Sequence, residues 1–473
     1  MIYHMKSGFW DRAIRNLRSV WHAIGSPDNY FSETLFSPDL SEIDRERLIE
    51  QMQECLATRG GEVSARSRAV ALGYAYLALN EFGRKRFLGV LASEFGPDEE
   101  TVNKAVARLI NLRDPAERTA VEKNLRKSLE APRTHLLTQF NALPEGVKFL
   151  VDMRTELISW AHQDASLGAV EDDLKGLLTS WFDVGFLELK QITWAAPAVL
   201  LEKLFTYEAV HEIRSWDDLK NRLASDRRCF AFFHPRMPHE PLIFVWVALV
   251  EGMASNIQEL LDEEAPVQEV ERADTAIFYS ISNAQTGLSG INFGNFLIKR
   301  VVDNLSNELK TLKKFATLSP MLGFLPWLLN NLENNHLAFL TSDQEKTIAN
   351  LASKETPKAS LVHLLNENQW IRNPETEAAL EPILLRLAAH YLINQKRVGG
   401  TALDSVAHFH LNNGARIEQL NWAADLSSRG IEQSAGMMLN YLYLLDDIDA
   451  NHESYCSGQE IKLSSSVRNL FKN

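Results

Sequence analysis

The sequence predicts an α+β protein: an all-α helical N-terminal domain over residues 1–184, then an α/β domain over residues 185–473 that carries a helical insertion. Three observations predict it. Up to residue 184, apolar residues recur at three- and four-residue spacing between capping signals, and strand patterns are scarce. From Gly185 on, short runs dense in aromatic and β-branched residues appear. Between Ser342 and Gly399 the helical pattern returns.

The first stretch, MIYHMKSGFWDRAIRNLRSVW, is basic and amphipathic and reads as the opening helix of the fold rather than an organellar presequence. Ser41-Glu-Ile-Asp44 has the capping-box spacing and opens a helix through Leu48, Ile49 and Met52. Gly96-Pro97-Asp98 starts another, with Val102, Val106, Leu109 and Ile110 at helical spacing. Asp114-Pro115 places a cap before proline at the first helical position, and Pro132 and Pro144 punctuate two further helices.

In the second domain, Arg227–Phe233 (RRCFAFF), Leu242–Leu249 (LIFVWVAL) and Ala276–Ile281 predict buried strands, with a turn at His234–Pro238. Lys314–Leu318 predicts a fourth, ending at Ser319-Pro320, which has the pattern of a helix N-cap and first turn. Ser405–Leu411 alternates, with Ala407, Phe409 and Leu411 on one side and His408 and His410 on the other, and predicts a strand before the turn Asn412-Asn413-Gly414. A last amphipathic helix is predicted over Gly430–Leu445, carrying Asn440, Tyr441 and Tyr443.

Composition narrows the function. With 45% apolar and 23% charged residues the chain can bury a core of ordinary size. A net charge of −13 argues against a general nucleic-acid or anionic-membrane binder, so an anionic ligand needs a locally electropositive site. No apolar run is long enough to span a membrane. The three cysteines, Cys55, Cys229 and Cys456, are far apart, which fits a reducing compartment and gives no disulfide framework or zinc knuckle; a cytoplasmic protein is expected. Cys229, in an apolar run with no base beside it, reads as a core thiol.

The stretch SNAQTGLSGINFGN (Ser282–Asn295) joins a strand to a helix through three glycines. A helix start offers unpaired N–H groups and partial positive charge, and glycine permits close approach, so the bend suits an anion. It has neither the P-loop ending nor the dinucleotide spacing.

Gln285, Gly287 and Gly290 resemble a distorted form of the loop with which the GNAT acetyltransferase superfamily holds the pyrophosphate of coenzyme A. The segments GFLELKQITW, EPLIFVWVALV, AIFYSISNAQTGLSGINFGNFLIKRVV, LSPMLGF and FHLNNGARIEQLNWAADLSSRGI are similar to the malonyl-CoA decarboxylase family, in the family's order, across most of residues 185–445. The resemblance implies a GNAT-like α/β catalytic domain behind a helical oligomerisation domain. The reaction implied converts malonyl-CoA to acetyl-CoA and CO2 in a homo-oligomer, dimer or tetramer, with no nucleic-acid partner. An acyltransferase on the same fold is the alternative.

The malonyl carboxylate lies β to a thioester carbonyl, so the substrate is its own electron sink and no metal or organic cofactor is expected. The enzyme must donate to the enolate oxygen and protonate C2. The resemblance points to His410 as the proton donor, expected to be kept protonated by a modest upward pKa shift, and to Ser319 as its partner, orienting the carboxylate or relaying the proton. It assigns malonyl-CoA binding to Ser289, Gly290, Ile291, Asn292, Phe293, Gly294 and Asn295, mainly through backbone N–H groups. Lys299 and Arg300, just beyond, could add positive charge. The pair His408 and His410 also suggests a metal site with Asp404 as a further ligand, but packing or support of His410 is the preferred reading for His408, and no metal is expected.

Overall fold

The computed structural model describes residues 36–57, 61–141, 145–291, 294–334, 340–352, 356–367, 369–458 and 460–470. The expected opening helix at residues 1–21, and Pro144, lie outside the described residues. Two compact units form: one holds the described residues of Met1–Leu187 with His234–Pro238 and Gln285–Ile291, the other Glu188–Phe233, His239–Ala284 and the described part of Asn292–Asn473.

Helices build the first unit. Ser41 caps Glu42–Leu56 by accepting from the Asp44 N–H, and Asn80 and Asp98 cap Glu81–Glu94 and Glu99–Ile110 in the same way. Asp114 caps a short 3-10 turn, Pro115–Glu117, before Arg118–Ser128. The core packs around edge-to-face rings, with Tyr76 against Phe87 and Phe149, and Phe149 against Phe140. Glu99–Ile110 and Arg118–Ser128 stand apart from that core. They bury only Ala105 and Val121, and leave Val106 and Ile110 exposed, with Leu129 exposed just after.

The second unit is a mixed sheet with helices. Its strands are β1 (Glu188–Ile192), β2 (Arg227–His234), β3 (Met237–Val250), β4 (Thr275–Asn283), β5 (Lys314–Thr317), β6 (Ser319–Pro320), β7 (Arg416–Asn421) and β8 (Met438–Tyr443). They run in the order β1-β2-β3-β4-β5-β8-β6, with β7 also on β8. β4 and β5 pair in parallel, so the chain must cross over between them, and helix Gly294–Glu308 is in that crossover. β3 is buried from Pro241 to Val250 because both of its faces are covered, which is why it reads as an unbroken apolar run. Phe244, Trp246, Ile277, Tyr279, Ala316 and Met438 meet in the core. The insertion is helical as expected: Ser342–Leu351, Pro357–Glu367 and Pro374–Asn394. No described helix is long and apolar enough to cross a membrane.

Three sequence expectations are corrected. Ser405–Asn412 is a helix, not a strand: the Asp404 carboxylate accepts from the N–H groups of Val406 and Ala407 and starts it. Residues 430–445 are not one helix: Ser428–Ser434 ends at Ala435 and Gly436, both at positive φ, and β8 follows. Ser319 caps no helix, since it pairs in β6 with Leu439 of β8.

Candidate active site

The corrected elements bring the two sequence-predicted catalytic residues together. The 405–412 helix turns Ala407, His410 and Leu411 inward, and β8 offers Tyr441 and Tyr443 on one face. The His410 ring is 3% exposed and stacks on Tyr441, centroids 4.5 Å apart. Its Nε2 lies 3.2 Å from Ser319 Oγ and its Nδ1 2.7 Å from the Tyr443 hydroxyl. Thr317 shares a face with Ser319 two residues on. Its Oγ1 accepts from the Ser319 hydroxyl at 2.8 Å and from the Tyr441 N–H at 3.1 Å.

This network assigns the protons. With Ser319 donating to Thr317, Ser319 Oγ accepts from His410 Nε2–H, and Nδ1 accepts from Tyr443. Burial drives the His410 pKa down to about 3, and no facing carboxylate opposes it. His410 is therefore a neutral imidazole near neutral pH, which corrects the expectation of an upward shift. The phenol of Tyr443 is held protonated by the same burial.

Asp404 does more than start the helix. It is 2% exposed, and burial raises its pKa against the pull of the Ala407 and Gly323 N–H groups. The Tyr391 hydroxyl lies 3.4 Å from its second oxygen, and a side chain at Gly323 would come within 2.5 Å of that hydroxyl. One carboxylate thus ties the start of the His410 helix to the segment just after Ser319 and to the last insertion helix.

His408 points away from His410, because neighbours two apart on a helix face nearly opposite directions. Its Nδ1 meets the Tyr455 hydroxyl at 2.9 Å. Among the described residues no group of three or more His, Cys, Asp or Glu is placed to hold a metal ion. Asn440 is fully buried and structural: its amide donates to the carbonyls of Ala254 and Thr317. Cys229 is a shielded core thiol with its pKa pushed well up by burial. Cys456 is exposed and donates to Asn412 Oδ1 at 3.3 Å, at the end of the His410 helix.

The glycine bend is built differently. Thr286–Leu288 forms a 3-10 turn, and the N–H groups of Leu288, Ser289 and Ile291 bond to carbonyls within the bend. Gly287 needs to be glycine because an added Cβ would lie 1.8 Å from the Val151 carbonyl oxygen. Its own carbonyl accepts from Arg154 Nη1 at 2.7 Å, and Arg154 pairs with Glu171. Gly290 sits at φ +75°, the left-handed region that favours glycine. Asn292 and Phe293 lie outside the described residues, and Gly294 and Asn295 open helix Gly294–Glu308. Of the two following cations, Lys299 pairs with Asp449 at 2.8 Å and Arg300 lies over the Phe232 ring.

Known proteins resemble this chain over most of its length. The family model of the malonyl-CoA decarboxylase C-terminal domain matches residues 185–473, and that of the N-terminal domain matches 95–182. The chain belongs to the malonyl-CoA decarboxylase family. It is, with that family, an enzyme of the carboxy-lyase class. The mitochondrial malonyl-CoA decarboxylase of Anser anser anser is 37% identical over 399 residues, covering 81% of this chain and 79% of that protein. That of Rattus norvegicus is 37% identical over 406 residues, covering 82% and 81%. The crystal structure of malonyl-CoA decarboxylase from Rhodopseudomonas palustris is 40% identical with a TM-score of 0.80. That from Agrobacterium vitis is 39% identical with a TM-score of 0.81; each comparison covers 90% of this chain and 99% of the other.

Sequence reasoning missed Thr317 and the role of Asp404 as a tie. The Thr-x-Ser spacing across the junction of β5 and β6 is a usable signal, since extended chain sets both hydroxyls on one face. Nothing in the sequence linked Gly323, Tyr391 and Asp404.

Proposed function

We propose that this enzyme decarboxylates malonyl-CoA to acetyl-CoA and CO2 through a thioester enolate protonated by His410. The observation that carries it is the buried Ser319–His410–Tyr443 chain, in a chain of this family. The C1–C2 electron pair of the malonyl group passes into the thioester carbonyl as CO2 leaves. The C2 carbanion centre then takes a proton from Nε2–H, Nδ1 recovers one from the Tyr443 hydroxyl, and the phenolate regains its own from water as product leaves. A neutral imidazole suffices as the acid, because the enolate is a much stronger base than an ordinary substrate oxygen. Ser319 orients the carboxylate or relays the proton; a solvent isotope effect that persists in Ser319→Ala selects the first role, and its loss selects the second.

Ser289–Asn295 is proposed as the malonyl-CoA-binding segment, and the substrate's own electron sink makes added metal or organic cofactor unnecessary. Purified protein with malonyl-CoA and a chelator should release acetyl-CoA and CO2. No acetyl-CoA would sink the assignment, activity restored only by added metal would sink the mechanism, and turnover that requires an acceptor amine would favour an acyltransferase.

We further propose residues 1–184 as an oligomerisation domain and 185–473 as the catalytic domain. The exposed Val106, Ile110 and Leu129 support self-association, since so thinly buried a helix pair gains little from its own unit. A monodisperse monomer in light scattering at micromolar concentration would refute it. The cytoplasm is the proposed location, supported by three free cysteines. Cell fractionation that finds the protein in an organelle would overturn it.

A further inference from the structure

We propose that Lys175, on the helical side of the chain, is a ligand for a phosphate of the CoA moiety and sets affinity for CoA thioesters. The inference rests on the assignment of malonyl-CoA to the glycine bend. Three facts lead to it. First, the bend supplies little by itself: its 3-10 turn consumes the N–H groups of Leu288, Ser289 and Ile291, and leaves the Gly290 N–H without a partner among the described residues. Second, the stretch Ser282–Asn295 contains no basic residue in a chain of net charge −13, and the cations after it are otherwise engaged, Lys299 with Asp449 and Arg300 over Phe232. An anion held there needs a cation from elsewhere.

Third, the fold brings one. Helix Gly168–Trp181 and Gln285–Ile291 belong to the same compact unit. Lys175 Nζ and Cε lie 3.4 Å from the point where a Cβ would stand on Gly290. The lysine is half-buried and makes no ion pair among the described residues; the glutamate one turn before it, Glu171, is taken by Arg154. An ammonium packed against the bare Cα of a residue whose N–H is open offers a phosphate oxygen two donors on one short stretch of surface.

The test pairs two variants with two ligand sizes. Lys175→Gln should raise KM for malonyl-CoA about tenfold and leave kcat within about twofold, the signature of lost ground-state binding. Lys175→Arg should recover most of the affinity. Malonyl-pantetheine lacks the nucleotide phosphates but keeps the carboxylate and thioester, so its kcat/KM should be the same for wild type and Lys175→Gln. An unchanged KM for malonyl-CoA overturns the proposal, as does an equal loss on both substrates. Calorimetric titration with CoA and with pantetheine asks the same question without turnover. CoA binding equally tight to wild type and Lys175→Gln overturns the lysine's role. CoA binding that weakens in Lys175→Gln, in a protein that does not turn over malonyl-CoA, upholds the lysine and sinks the reaction instead.

Discussion

The surroundings of His410 and the glycine bend use opposite materials. Around His410 the work is done by side-chain groups, each nitrogen and hydroxyl of the Tyr443–His410–Ser319–Thr317 chain engaged by the next. At Gln285–Ile291 it is done by missing atoms: Gly287 lies where any Cβ would strike the Val151 carbonyl, and Gly290 adopts a left-handed turn. Substitutions should therefore fail in different ways. Deleting a functional group near His410 costs rate, whereas adding an atom at the bend costs fold.

The sharpest way to break this contrast is His410→Asn, which should lower kcat by about a thousandfold while the protein stays folded by circular dichroism. A loss below about tenfold would remove His410 from the chemistry. Tyr443→Phe leaves Nδ1 unsatisfied and should cost about ten- to a hundredfold in kcat, with KM little changed. Gly287→Ala belongs to the other side: it should cost about 3 kcal/mol in urea unfolding while the folded fraction keeps kcat within about tenfold. A variant of wild-type stability with its rate abolished would reverse the assignment of Gly287.

Acid provides a finer test. Burial pushes His410 down to about 3 and His211 to about 4, so both stay neutral in the folded protein down to those values. In the unfolded chain each takes up a proton near pH 6.5, so below 6.5 the unfolded state binds more protons and stability falls with pH. Each should cost about 1.4 kcal/mol per pH unit through that window and nothing above it. His410→Asn should remove one of these two contributions from the acid slope. In the wild-type enzyme, kcat should show no inflection near 6.5. The smallest effect is expected from Ile110→Glu, which should shift self-association in light scattering and leave kcat per subunit unchanged; an unaltered assembly would place the interface elsewhere.

The buried strands were legible because a strand covered on both faces must be apolar throughout, as LIFVWVAL is. Ser405–Leu411 misled because it is short. Its alternation of Ala407, Phe409 and Leu411 fits period two, but Ala407, His410 and Leu411 fit a helical turn equally well, and the Asp404 cap decides between them. The break at Ala435-Gly436 carried the usual signal of a helix end, but an amphipathic pattern running across it hid the strand that holds Tyr441 and Tyr443. It is the family resemblance that points to His410 and Ser319. Their contact is not readable from spacing, because 91 residues separate them and the pairing of β6 with β8 is what sets Ser319 against the helix.

The one exposed thiol has a practical consequence. Cys55 and Cys229 are buried, with burial raising the first to about 11 and the second well above its ordinary value. Cys456 alone is open to solvent, in contact with the last residue of the helix that carries His410. A maleimide fluorophore at neutral pH should label that single position in the native sequence, with no cysteines engineered out. The dye would sit at the far end of the His410 helix and report optically on its movement while substrate is mixed in.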